Sequence, residues 1–273
     1  MSRLIYRFCR LKSHGTTVED PLMANTIELD IRRQDTPYSP PYWQRFSIPH
    51  RRGHNIVSAL MVIREHPFTQ EGKRVDPVAW EFNCMEEVCG ACSMMINGRP
   101  RQACSTLVDS LEQPIRLEPL SKFPVVRDLM VDRSKIFNDL KRVRAWIEID
   151  GAWDIHQGAP RISPVAWKEN YLYSRCMSCG CCLEACPEYA TEKDFVGPAA
   201  LAAVRLMNSH PTGRYHRRQR LHAIMGDDGL SNCGNAQNCV RVCPKQIPLT
   251  TAIGELGRQT SLQLLRDLFG ESE

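Results

Sequence analysis

The sequence predicts an α+β chain in two parts, on three observations. Several short runs before about residue 120 alternate apolar and polar residues, the period of half-buried strands. One helical repeat lies among them, as in a β-grasp sheet crossed by a single helix. After residue 163 the strand patterns stop, and short helical repeats surround two cysteine-rich runs. At 273 residues the chain can hold two modest cores. The expected division is 1–23 as an N-terminal extension, 24–130 as the sheet domain, 131–163 as a connector and 164–273 as the helical domain.

Taken in order, residues 1–22 are basic and poorly periodic, with an isolated Cys9. Met23 directly precedes a clean strand pattern, so a native start at Met23 and a floppy genuine extension from Met1 are both open readings. Thr26 to Arg33 alternates as a strand, a Pro- and Tyr-rich turn follows, and Trp43 to Ile48 is its hairpin partner. Ile56 to Glu65 has helical spacing, with Asn55 placed to cap it and Pro67 beyond its end. Val78 to Phe82 reads as another strand. Met94 to Ile96 runs into the hairpin signal Asn97-Gly98. Ile115 to Glu118 finishes the sheet, and Phe123 to Asp132 starts the connector. Ser134 to Trp146 reads as a helix with basic residues in its last turn, and the Pro- and Gly-bearing stretch 151–164 as a surface linker. The helices expected beyond it are Pro164 to Tyr173, Pro198 to Asn208, Tyr215 to Met225, and Pro248 to Phe269 with a break near Gly257.

Composition excludes several classes. The 35 basic and 31 acidic residues are interspersed, giving a net charge of +4, too mild and too scattered for nucleic acid. No stretch of about twenty apolar residues could span a bilayer, and no signal-peptide pattern opens the chain. Thirteen cysteines therefore point to metal binding in a reducing compartment, since they cluster at ligand-like spacings.

The first cluster is Cys84, Cys89, Cys92 and Cys104. Its gaps of four and two residues are those of plant-type 2Fe–2S ferredoxins, with a shorter final gap of eleven that a hairpin through Asn97-Gly98 would close. Taking Cys89 and Cys92 alone as a redox dithiol gives Cys84 and Cys104 no role. The second is the bacterial ferredoxin run Cys176, Cys179, Cys182, Cys186 and Pro187, in which the fourth cysteine belongs to the other cluster of a pair. Its partner run is Cys233, Cys239, Cys243 and Pro244, with Ala236 at the second cysteine position. Crossed ligation gives Cys176, Cys179, Cys182 and Cys243 to a 4Fe–4S cluster. It leaves Cys186, Cys233 and Cys239 for a 3Fe–4S cluster lacking one corner. Zinc is the chemical rival, in a scaffold protein, but three thiolates make a poor structural zinc site. Cys181 has no place in the run and reads as an ordinary buried thiol. Arg214 to Arg220 reads as a solvated helix face, with contact to anionic lipid or to a membrane subunit as the sharper alternative. Met94, Met95, Met177 and Met207 read as packing.

Three cluster motifs in this order resemble the iron–sulfur subunit of succinate dehydrogenase and fumarate reductase. The resemblance runs from about Ala24 to the C-terminus and is carried by residues 83–104, 113–129, 176–187 and 231–253. It implies a plant-type ferredoxin domain, an enlarged bacterial-ferredoxin-like helical domain, and no catalytic residue. Electrons from a flavoprotein subunit with covalent FAD would pass along the 2Fe–2S, 4Fe–4S and 3Fe–4S clusters to a quinone at a cytochrome b membrane-anchor subunit. The subunit would lie peripherally at the cytoplasmic face of the cell membrane. Thr191 and Gly234 stand where ubiquinone-linked relatives carry a tryptophan and a histidine, so the pattern is closer to the menaquinone-linked branch. A quinol:fumarate reductase, running the same wire in reverse, is the alternative.

Overall fold

A computed structural model describes residues 26–148, 156, 158 and 160–270. The N-terminal extension, with Cys9 and the choice between Met1 and Met23, lies outside the described residues, as does residue 149–155 of the connector.

Strand β1 (Thr26–Arg33) buries Ile27, Leu29 and Ile31 completely while the residues between them stay partly exposed. Each such side chain stabilises the fold by roughly 1.5–3 kcal/mol. Its antiparallel partner β2 (Tyr42–Pro49) sets Phe46 and Ile48 against the same core. Helix α1 (Ile56–Glu65) lays Ile56, Val57, Leu60 and Ile63 into that core. Asn55 Oδ1 accepts from the Ser58 amide at 2.8 Å while Ser58 Oγ accepts from the Asn55 amide at 2.9 Å, a reciprocal cap. Strands β3 (Ser93–Ile96), β4 (Arg99–Gln102) and β5 (Ile115–Glu118) complete a five-stranded sheet of order β2-β1-β5-β3-β4. The last strand in sequence, β5, is the central one, parallel to β1 and antiparallel to β3. This is the expected β-grasp.

Val78 to Phe82 does not join the sheet, contrary to its alternating pattern. The Ala79 amide donates instead to Asp128 Oδ2 at 2.8 Å, and the Ala79 carbonyl accepts from the Leu129 amide. Asp128 sits in the turn between two short strands, β6 (Val125–Arg127) and β7 (Met130–Val131), that form within the expected connector. Its carboxylate also accepts from Arg33 Nε at 2.9 Å and from the Gln34 amide at 3.0 Å. Both members of this ion pair are buried.

Helix α2 (Ser134–Arg142) ends short of Trp146, the chain turning at Arg144 in the left-handed region with φ +53°. Leu120, Phe123, Val131, Ile136 and Val143 then enter a second core with Leu183, Tyr189, Phe195 and Leu201. The segment after the sheet thus packs against both cores, Leu129 against the sheet's and these residues against the helical one. That domain contains α3 (Pro164–Ser174), α4 (Cys181–Glu184), α5 (Gly197–Ser209), α6 (Arg217–Met225), α7 (Asn238–Val242) and α8 (Leu249–Phe269). Helix α8 runs unbroken through Gly257, so the expected break does not occur. A helical glycine costs only about 1 kcal/mol relative to alanine, and α8 buries Leu249, Ala252 and Leu256 along its length. Arg220 is not on a solvated face either. It is fully buried and donates to the carbonyls of Arg144, Trp146 and Gly213 at 2.7–2.9 Å. Among the described residues no helix is long and apolar enough to cross a membrane.

Replacing Asp128 by alanine leaves Arg33 buried without its counter-charge. Asp128→Ala is expected to lower unfolding stability by about 3–5 kcal/mol, read from guanidinium unfolding of the intact chain.

Candidate metal centres

The Cys84–Cys92 loop is wound by backbone in the left-handed region at Met85, Glu87 and Gly90. That winding aims three amides, of Glu86, Val88 and Cys89, at Cys84 Sγ from 3.3–3.4 Å. They pull the Cys84 thiol down to about 6, because each favours the thiolate. The β3–β4 hairpin turns at Asn97 and Gly98 and returns the chain so that the Cys104 amide donates to Cys92 Sγ at 3.4 Å. Ser105 Oγ donates to Glu87 Oε1 at 2.7 Å and ties the loop to the Cys104 end. Burial pushes the Cys92 thiol up to about 12.

In the helical domain Ser178 and Gly180 take the left-handed conformation between the first cysteines, and Asn235 and Gln237 do so in the second run. Helices α4 and α7 pack together. One apolar cavity is lined by Cys176, Cys179, Cys182 and Cys243. A second is lined by Cys186, Cys233 and Cys239, with Ala236 at its wall. The Ile247 amide donates to Cys243 Sγ at 3.4 Å. Burial raises Cys176, Cys182 and Cys239 above the ordinary thiol range, and neighbouring thiolates add to the rise. Cys179 goes the other way, to about 7, first because the Cys181 side chain donates to its sulfur.

These surroundings suit iron–sulfur clusters. Sulfurs line cavities and receive backbone amides, and the apolar walls leave the thiolate charge to be balanced by metal. Among the described residues no three His, Cys, Asp or Glu side chains gather closely enough to hold a single metal ion. One tetrahedral zinc would want four sulfurs at about 2.3 Å.

The first loop and the second site touch. A Cβ on Gly90 would lie 2.7 Å from the Met177 carbonyl and 3.0 Å from Cys179 Cβ, so only glycine permits the approach. Arg133, at the cap of α2, clamps the loop by donating to the Gly90 carbonyl at 2.8 Å, the Ala91 carbonyl at 2.5 Å and Glu81 at 3.1 Å. Its charge also favours the Cys179 thiolate. Sequence reasoning missed Arg133 and the buried Gln102, since neither belongs to a ligand spacing. Cys181 is fully buried, as the reading of it as an ordinary buried thiol expects. Thr191 donates to the Lys122 carbonyl at 2.9 Å, and Gly234 lies at the wall of the three-cysteine cavity.

Comparison with known proteins agrees with both halves. The family described as a 2Fe-2S iron-sulfur cluster binding domain matches residues 28–138, and that of a 4Fe-4S dicluster domain matches 173–247. Fold and site together define an iron–sulfur electron carrier, which sets the zinc scaffold aside. The succinate dehydrogenase iron-sulfur subunit of Bacillus subtilis is 54% identical over 90% of this chain and 96% of its own. The fumarate reductase iron-sulfur subunit of Wolinella succinogenes is 36% identical over 81% and 90%. A chain of the Mycobacterium smegmatis Sdh1 complex superposes with a TM-score of 0.71 at 22% identity, covering 86% of this chain and 95% of that one, which supports the fold. The chain belongs to the family of succinate dehydrogenase iron–sulfur subunits, the electron-transfer subunits of that oxidoreductase.

Gly90→Ala forces a side chain into a left-handed position at a cost of about 1–2 kcal/mol, before any clash with Met177. The variant is expected to lose iron from the first site, measured by iron content and visible absorption against the unaltered protein.

Proposed function

We propose that eleven cysteines hold three clusters in a line. Cys84, Cys89, Cys92 and Cys104 would hold 2Fe–2S in a domain spanning 24–130. Cys176, Cys179, Cys182 and Cys243 would hold 4Fe–4S, and Cys186, Cys233 and Cys239 would hold 3Fe–4S, both in a domain spanning 164–273 that is joined by the connector 131–163. What supports the crossed assignment is that Cys243 lines a cavity with the first run while Cys186 lines one with the second. What supports three irons in the last site is the methyl of Ala236 where a fourth thiolate would stand.

Bound iron–sulfur clusters supply reversible one-electron transfer at potentials set by their surroundings. The chain's own work is to hold them close, because electron tunnelling falls exponentially with distance. Gly90 lets the first loop press against Cys179, and Arg133 holds it there. The exchange of Cys186 and Cys243 makes the second and third sites neighbours on one scaffold. Cys92, Cys104, Cys179 and Cys239 are buried, and the walls around the second and third sites are mostly apolar.

In this reading electrons from the FAD of a flavoprotein subunit enter at the Cys84–Cys104 site. They leave beyond Cys186, Cys233 and Cys239 to a quinone, of menaquinone type, at a cytochrome b anchor subunit. The chain would sit peripherally on the cytoplasmic face of the cell membrane. Fumarate reductase relatives favour one second reading, the same wire run from quinol to fumarate. Succinate added to the isolated complex is expected to reduce the clusters, seen by electron paramagnetic resonance. Clusters that stay oxidised with succinate, yet reduce with quinol, would favour the reverse direction.

Ala236→Cys supplies the missing thiolate. It is expected to replace the 3Fe–4S resonance by a 4Fe–4S one, and an unchanged three-iron signal would contradict the ligand assignment.

A further inference from the structure

Arg133, the residue before α2, belongs to the scaffold of the second site and bonds to the loop of the first. Three residues on, Ile136 lines the cavity of Cys176, Cys179, Cys182 and Cys243. The Arg133 side chain meets the Cys89–Cys92 loop, where Nη1 donates to the Gly90 carbonyl at 2.8 Å and Nη2 to the Ala91 carbonyl at 2.5 Å. A trans peptide sets its N–H opposite its C=O, so the amides of Ala91 and Cys92 point away from Arg133. A cation on each carbonyl polarises those amides into stronger donors. Ser93 Oγ also donates to the Gly90 carbonyl, at 2.9 Å. All these acceptors are backbone oxygens, so the bonds are the same whether the cysteines carry protons or metal. The Arg133 side chain is 14% exposed, and among the described residues its buried Nε has no hydrogen-bond partner. Its one ion pair among those residues is with Glu81 at 3.1 Å, a carboxylate 42% exposed. Water screens that counter-charge, which leaves a net positive charge beside the loop. Arginine keeps its charge at any working pH.

We propose that Arg133 is a positioning residue that holds the Cys89–Cys92 loop with a fixed positive charge and thereby raises the reduction potential of the first centre. Reduction adds one negative charge to a cluster, and a nearby cation stabilises that product. The guanidinium fork fixes where the charge stands, because two carbonyls hold it at once. The carbonyls it holds lie between two cysteines of the first site, so that centre feels the charge most. Gly90 brings the same loop against Met177 and Cys179, and the second centre is shifted in the same direction by less. Arg133 would make the entry point of the wire a better electron acceptor. This rests on the reading above that Cys89 and Cys92 are ligands of the first centre.

The test uses the complete complex carrying Arg133→Gln, Arg133→Lys, Glu81→Gln or Cys89→Ala, with redox titration followed by electron paramagnetic resonance. Arg133→Gln is expected to lower the first centre's midpoint, changing its oxidised-to-reduced ratio at a fixed potential by roughly tenfold, the scale of one partly buried charge. Arg133→Lys restores the charge and is expected to recover most of that shift. Glu81→Gln removes the counter-charge and leaves the fork in place. It is expected to raise the midpoint, by about threefold in the same ratio, as suits a screened carboxylate. A loss of loop structure alone would not reverse the sign, so Glu81→Gln decides the matter should Arg133→Gln fail to assemble. The third centre is expected to stay where it was. A first-centre midpoint unmoved or raised in Arg133→Gln, unmoved or lowered in Glu81→Gln, or equal movement of all three centres would overturn the proposal. Cys89→Ala separates the two layers of argument. A first-centre signal that survives it overturns the ligand assignment and the proposal with it. A lost signal, with unmoved potentials in the Arg133 and Glu81 variants, overturns the proposal alone.

Discussion

Everything in this fold answers to the cost of gathering cysteine sulfurs into clusters partly withdrawn from water. A thiolate taken out of water loses solvation that only a cation or directed hydrogen bonds can replace. The structure carries that tension openly: burial drives Cys92, Cys176, Cys182 and Cys239 toward the neutral thiol. Metal binding must then displace protons, and the binding free energy is available to the fold itself. Where the chain relieves the cost without metal, it does so with backbone amides at Cys84, Cys92 and Cys243.

The same constraint explains why so much backbone is left-handed around the cysteines. Met85, Glu87, Gly90, Ser178, Gly180, Asn235 and Gln237 all have positive φ. In the first loop these turns aim three amides at Cys84 Sγ, at a local strain cost that surrounding packing must offset. The packing is supplied by two cores. The sheet and α1 brace the first loop, and the segment from Leu120 to Val143 leaves the sheet to join the helical core. Arg133 stands at that crossing and bonds back to the first loop, so domain packing and cluster spacing are fixed by the same residues.

The cysteine spacings, the capped helix α1 and the Asn97-Gly98 hairpin were legible because each is a local rule written in adjacent residues. What escaped reading depends on distant partners. Val78 to Phe82 has strand chemistry, but its Ala79 amide is taken by Asp128, 49 residues away. Gly257 reads as a break, yet tertiary packing on both sides carries α8 through it. Arg220 looks like one more surface cation until three carbonyls are found closing on it. Gln102 alternates like any strand residue, yet its buried amide also reaches Cys181, 79 residues away.

The central claim is that three centres share the eleven sulfurs, the last of them one thiolate short. Iron and acid-labile sulfide counted per flavin in the intact complex test it directly. The account predicts roughly nine irons and ten sulfides per chain, from one 2Fe–2S, one 4Fe–4S and one 3Fe–4S cluster. Roughly ten irons, meaning two complete cubes, or a markedly lower count of either atom, would contradict it.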